Sequence, residues 1–180
     1  MMSPTGFYDV DRLEQIAINL FYGWGYNFYR LENQLRADDL LVRSHVGVML
    51  GSARKGVEAE LSRYRRTFLA PPTRENPMPD PAAVSHARTL EELSAGVGQL
   101  EGAIRALPAP ENDRMTQRYR NEADTLLHLR ECDTQLVGQA ETLRKMLTQD
   151  YHWILQNEAV IRDGLRLLRR TLEARQLLLG

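Results

Sequence analysis

Residues 42–68 have the sequence VRSHVGVMLGSARKGVEAELSRYRRTF, and this stretch decides the fold class. Its apolar residues recur in steps of three and four, the period of one face of an α-helix. They are Val42, Val46, Met49, Ala53, Val57, Leu61, Tyr64 and Phe68. The pattern predicts one long helix with a continuous buried stripe.

Three further stretches show the same spacing, at residues 90–107, 115–147 and 154–172. An N-terminal stripe runs over residues 13–35, and a bend or break is expected near residues 23–25 or near residues 36–39. The sequence leaves open whether this first helix continues into the second.

Proline separates the helical stretches. Residues 71–81 contain five prolines, and residues 108–110 form a second break. Because proline lacks a backbone donor and clashes with the preceding turn, helices must end at these positions. New helices are expected after Asp80 and Pro110, since proline and acidic residues favour the first turn.

These patterns predict an all-α fold, an elongated antiparallel bundle of about five helices, three of them long. No stretch alternates polar and apolar residues as a half-buried strand does, so no sheet is expected. A chain of 180 residues can form one core, and residues 1–180 are predicted to be a single domain.

The composition is ordinary for a globular protein, with 43% apolar and 26% charged residues. A formal net charge of −1 gives no overall field for a polyanion, so nucleic acid is not an expected partner. No stretch has the roughly 18 uninterrupted apolar residues of a membrane span, and no membrane partner is expected. The single cysteine, Cys132, suits a reducing compartment, so a cytoplasmic location is predicted.

An aromatic segment occupies residues 21–30, FYGWGYNFYR, which holds six of the thirteen aromatic residues. On a helix these rings form two stripes, more than one neighbouring helix would easily bury. Tyrosine, tryptophan and arginine are also enriched at interface hot spots. The segment is therefore either an interaction surface or part of a central helix surrounded by others. The predicted interaction residues are Phe21, Tyr22, Trp24, Tyr26, Phe28, Tyr29 and Arg30.

Two carboxylates, Glu122 and Asp133, fall within an apolar stripe and need partners if they are buried. A hairpin turning at residues 148–150 would place Glu122 opposite Arg175 and Asp133 opposite Arg166. We predict two structural ion pairs. A catalytic acid pair is less favoured, because the two carboxylates are about 16 Å apart along the helix.

A ferritin-like metal site would need glutamate three residues before histidine on two helices. None of the four histidines has a glutamate three residues before it. His128, Glu131 and Cys132 lie close together on one helix and are the only candidate metal ligands, a weak set because one helix supplies them all. No catalytic residue and no cofactor are predicted.

Two motifs with small residues four apart, Gly47 with Gly51 and Gly98 with Gly102, leave room on one helix face. The two helices are expected to pack through these faces within one chain. Packing of the two faces against each other is one such arrangement.

An arginine ridge on the last stripe consists of Arg162, Arg166, Arg169 and Arg170. Such a ridge can contact phosphates. Nearby acidic residues favour an ion-paired or solvated face instead.

The sequence thus predicts a non-catalytic helical interaction or assembly protein, an adaptor or accessory factor, that forms a homodimer through the aromatic segment. An unidentified protein partner is a further expectation. The alternatives are a metal-binding helical bundle of ferritin-like type and a nucleic-acid binder that uses the arginine ridge.

Overall fold

The computed structural model describes residues 9–24, 33–69, 71, 73–74, 78–107 and 122–179. These residues form helices and no strand, which confirms the all-α prediction. The helices are α1 (Val10–Trp24), α2 (Asn33–Phe68), α3 (Pro81–Ala106), α4 (Glu122–Leu147), α5 (Tyr151–Gln156) and α6 (Glu158–Leu179). At 1.5 Å per residue, the 36 residues of α2 span about 54 Å.

The helix boundaries exclude one of two alternatives left open by the sequence and differ from the prediction at one further position. α2 runs without interruption through residues 36–39, where a break was one of the alternatives. The last predicted helix is divided at Asn157, where φ is −109° and ψ is 18°, although hydrogen bonds from the Asn157 N–H to the Trp153 carbonyl (3.1 Å) and from the Ile161 N–H to the Asn157 carbonyl (3.0 Å) continue across it. Residues 25–32, which would decide whether α1 continues into α2, lie outside the described residues.

Aspartate begins two of the helices. The Asp80 carboxylate accepts a hydrogen bond from the backbone N–H of Ala82 (3.1 Å), and Pro81 is the first residue of α3, as predicted. Asp150 caps α5 in the same way through the N–H of Trp153 (3.0 Å). The second predicted break, at residues 108–110, lies outside the described residues.

Four helices form a closed bundle. α2 contacts α3 and α4, and α6 in turn contacts α4 and α3. Consecutive partners run antiparallel: Arg54 of α2 lies beside Glu101 of α3, and Tyr64 lies beside His86. α4 and α6 likewise form an antiparallel hairpin.

The two hairpins pack side by side, so that each helix of one hairpin lies next to a helix of the other that runs in the same direction. α3 and α6 are parallel, because Arg162 bonds Glu92 and Arg169 bonds Gln99, at the same separation of 70 residues. α2 and α4 are then also parallel, because α2 is antiparallel to α3 and α4 is antiparallel to α6. The hairpins therefore join through contacts between residues far apart in sequence.

The predicted stripes fill the core between these helices. Fully buried members include Val42, Val46, Ala53 and Val57 of α2, Leu90, Leu93, Val97 and Ile104 of α3, and Leu136, Leu143, Ile154 and Ile161 of the second hairpin. Phe68, the last member of the α2 stripe, is 45% exposed. No helix in the described part of the chain is both long and apolar enough to cross a membrane.

Candidate functional site

The predicted interaction segment begins in the last turns of α1. The backbone of residues 21–24 belongs to that helix. The side chains of Phe21, Tyr22 and Trp24 lie outside the described residues, as do residues 26–30 as a whole. What can be located is the helix that leads into the segment.

Among the described residues, α1 packs mainly on one helix, α4. Leu13 and Ala17 are buried in this contact, while Ile18 remains 39% exposed. The helices approach closely at Gly138, where a Cβ atom would lie 2.7 Å from the carbonyl oxygen of Leu13. Gly138 is thus required for α1 to lie where it does.

The partner predicted for Asp133 is wrong. Asp133 accepts a hydrogen bond from Arg175 at 2.5 Å, not from Arg166, and both side chains of the pair are buried. Arg166 instead pairs with Asp163 within α6. The predicted Glu122–Arg175 pair cannot be compared directly, because the Glu122 side chain lies outside the described residues.

The error comes from the turn between the helices of the second hairpin. The short helix α5 and Asn157 extend the connection, so α6 begins its antiparallel course later than a simple turn at residues 148–150 would allow. Arg175 therefore comes level with Asp133.

The three candidate metal ligands are near one another in sequence but differ in environment. His128 and Glu131 are exposed and Cys132 is half-buried. Burial, followed by the negative charge of Asp133, raises the pKa of the Cys132 thiol, although Arg175 opposes this. Within the described residues, no group of three or more His, Cys, Asp or Glu side chains is placed to hold a metal ion.

The arginine ridge of α6 is largely engaged with its own protein. Arg162 donates to Glu158 (2.7 Å) and to Glu92 of α3 (2.6 Å). Arg169 donates to Gln99 of α3 (3.2 Å). The bonds to Glu92 and Gln99 fasten α6 to α3. Arg162 and Arg166 are ion-paired, which is the arrangement favoured from the sequence.

The two glycine motifs do face each other, but side chains fill the space between them. A Cβ at Gly51 would lie 3.3 Å from Glu101 Oε1, and one at Gly98 would lie 3.5 Å from Arg54 Nη1. At Gly102 nothing lies within 4 Å. The glycines thus make room for charged side chains between α2 and α3.

These side chains form a polar seam, which consists of Arg54, Glu58, Ser94, Glu101 and Arg105. Glu101 is buried and pairs with Arg105 (2.6 Å) and Arg54 (3.9 Å). Glu58 accepts from Arg54 (2.8 Å) and from the Ser94 hydroxyl (3.3 Å). The seam fixes the register of α2 against α3.

An aromatic cleft lies at the end of the bundle where α2 ends and α3 and α5 begin. Its volume is about 460 Å³, within the usual range for small-molecule sites. Its lining residues are Tyr64, Phe68, Asp80, Ala82, Ala83, His86, His152, Leu155 and Gln156.

Ring contacts build one side of this aromatic cleft. The rings of Tyr64 and Phe68 have centroids 4.7 Å apart, and Tyr151 meets Tyr64 edge-on at 5.2 Å. Behind the rings, the Tyr151 N–H donates to the Glu60 carboxylate (3.0 Å), which ties α5 to α2. The cleft therefore has a firm wall contributed by both hairpins.

Polar groups converge on the same cleft. The Tyr64 hydroxyl and His86 Nδ1 are 3.1 Å apart and share a hydrogen bond. Burial, then the negative charge of Asp80 and the neighbouring phenol of Tyr151, raises the pKa of Tyr64. The phenol therefore stays protonated at neutral pH and can donate a hydrogen bond.

Sequence reasoning did not find this site. Tyr64 and Phe68 were assigned to a core stripe, and His86 was considered only as a metal ligand. The lining residues come from three separate stretches, and no local motif connects them.

Comparison of the chain with protein-family models, with curated proteins and with solved structures finds no match.

Proposed function

We propose that this protein is a non-catalytic helical interaction protein that self-associates, as a homodimer, through the aromatic segment at residues 21–30. The predicted contact residues are those named from the sequence, with Trp24 and Tyr26 at the centre.

The packing of α1 among the described residues carries this proposal. The competing explanation for the aromatic rings was a central helix surrounded by others, which would need neighbours on several sides. α1 packs mainly on α4 among the described residues, and Ile18 is partly exposed. A helix with one main neighbour in the described part of the chain, leading into a segment rich in aromatic rings, favours an interaction surface over a core element.

Light scattering coupled to size exclusion tests the proposal on the full chain. The wild-type protein should be a dimer, and Trp24→Ala should raise the dissociation constant about tenfold or more, because truncating a hot-spot residue costs ~2 kcal/mol. Leu177→Ala is the matched control, since it removes another large apolar side chain, one that is 82% exposed at the far end of α6. This control should leave the dimer unchanged.

Circular dichroism on the same samples separates an interface from a core role. Trp24→Ala and Tyr26→Ala should keep the helical content of the wild type. A wild-type protein that is monomeric at all concentrations, or a loss of helical signal in both variants, would rule out the proposed surface.

The location proposed with this function is the cytoplasm, because a lone thiol suits a reducing compartment. The metal-binding and nucleic-acid-binding alternatives remain predictions. No specific contact among the described residues favours either of them over self-association.

A further inference from the structure

The described residues that line the aromatic cleft at the α2–α3 end of the bundle do not include any of the segment 21–30 that forms the proposed dimer surface. Phe68 in this lining is 45% exposed, and a volume of about 460 Å³ is free of the side chains that the structure describes. A space of this size can take a small molecule or one long side chain of another protein.

The charge of the lining favours one kind of occupant. Asp80 is the one acidic residue among the described lining residues, and no arginine or lysine is among them. The Asp80 carboxylate also accepts from the Ala82 N–H (3.1 Å), so it partly offsets the positive end of α3. An anion entering the cleft would be repelled by this carboxylate, and no arginine or lysine among the described lining residues would offset the repulsion.

The cluster of aromatic rings formed by Tyr64, Phe68 and Tyr151 already contacts one cation of the protein itself. The guanidinium carbon of Arg63 lies 5.2 Å from the centroid of the Tyr151 ring. Aromatic faces attract cations at such distances through their quadrupole. Tyr64 and Phe68 extend the same ring cluster into the cleft, next to Asp80.

We propose that the aromatic cleft binds an organic monocation, a guanidinium or primary ammonium group carried on a short aliphatic stem. The charged head lies between the Asp80 carboxylate and the ring of Phe68, which is 45% exposed, whereas Tyr64 is 4% exposed and lies behind it. The stem packs on Ala83 and Leu155.

Calorimetric titration of the full chain with four small probes tests the charge preference. Butylguanidinium and butylammonium should bind about tenfold more tightly than butanol, which has the same stem and no charge. Butyrate should not bind. Equal affinity for butanol, preferential binding of butyrate, or no heat with either cation at millimolar concentration would overturn the proposal.

Two capping aspartates provide a matched pair of variants. Asp80→Asn removes the charge in the cleft and keeps a good helix cap, so the fold should survive. It should weaken butylguanidinium binding about fivefold to tenfold. Asp150→Asn makes the same change at the cap of α5, outside the lining residues, and should change the affinity less than about twofold. Equal effects of the two variants would contradict a site at Asp80.

A capped tripeptide, compared with butylguanidinium, identifies the source of the cation. Acetyl-Gly-Arg-Gly-amide binding at least as tightly as butylguanidinium would support a cation site that takes an exposed arginine of another protein. Exclusion of the tripeptide, while butylguanidinium still binds, would support a cation site for a free small molecule. Phe68→Leu should weaken whichever probe binds, because it removes a ring face and keeps an apolar side chain.

Discussion

Glycines and ion-paired residues occur both around α4 and in the α2–α3 seam, but they pack against different atoms in the two regions. Around α4, Gly138 and Gly56 each lie where a Cβ would be 2.7 Å from a backbone oxygen, and Asp133 is buried with Arg175. Between α2 and α3, Gly51 and Gly98 face the ends of charged side chains. Backbone atoms cannot yield as flexible side chains can, so equivalent changes should be costly around α4 and mild in the seam.

The largest effect is expected from Arg175→Met. This change removes the buried guanidinium that pairs with the Asp133 carboxylate, and the free energy of unfolding should fall by about 3–5 kcal/mol. Urea denaturation at neutral pH measures it. The double variant Asp133→Leu with Arg175→Met should recover most of the loss, because both charges of the buried pair are then replaced by apolar groups. If Arg175→Met lowers the free energy of unfolding no more than replacement of an exposed arginine does, the Asp133–Arg175 pair is solvated.

A smaller loss is expected from Gly138→Ala. The new methyl group meets the backbone of Leu13, so α1 must shift away from α4, at a cost of about 1–3 kcal/mol. Hydrogen exchange should show faster exchange of the α1 amides while α2 and α3 keep their protection.

Gly102→Ala is the matched control for this glycine variant, in the seam region. Nothing lies within 4 Å of the new methyl group, so the variant should gain up to about 1 kcal/mol from helix propensity. Equal losses in the two variants would remove the distinction between the two regions.

The smallest effect concerns a carboxylate on α4. Burial alone would raise the pKa of Glu141, but hydrogen bonds from Arg144 (2.6 and 2.7 Å) and the charge of Lys145 outweigh it and lower the pKa. Since the folded-state pKa is the lower one, this stabilisation is complete above the normal glutamate range and is lost as the pH falls through the folded-state value.

Glu141→Gln should therefore cost about 1 kcal/mol at pH 7 and less near pH 3. Denaturation curves at the two pH values measure the difference. A loss that is the same at both values would show that packing, not charge, explains the effect of this variant.

Helical periodicity predicted the fold well, because burial of one face leaves a direct record in the sequence. Val42 and Leu90 were placed in core stripes, and both are fully buried. Periodicity did not reveal Asn157, since Ile154 and Ile161 keep helical spacing across the break. The mistaken partner of Asp133 follows from that hidden turn.

The contacts that depend on side-chain placement were not predictable in the same way. Gly51 and Gly138 look alike in sequence, yet a side chain lies beside one and a backbone beside the other. The aromatic cleft escaped detection because Tyr64, His86 and His152 come together only when both hairpins are in place.

The assembly of the cleft from two hairpins has a consequence for how the bundle forms. Each hairpin is built from helices close in sequence, whereas the contacts that join the hairpins link residues 70 or 91 positions apart. Such distant contacts are slower to form, because more of the chain must be ordered first. The cleft thus exists only in the fully joined molecule, and whatever fills it favours that state by mass action. An occupant of the cleft would therefore stabilise the association of the two hairpins.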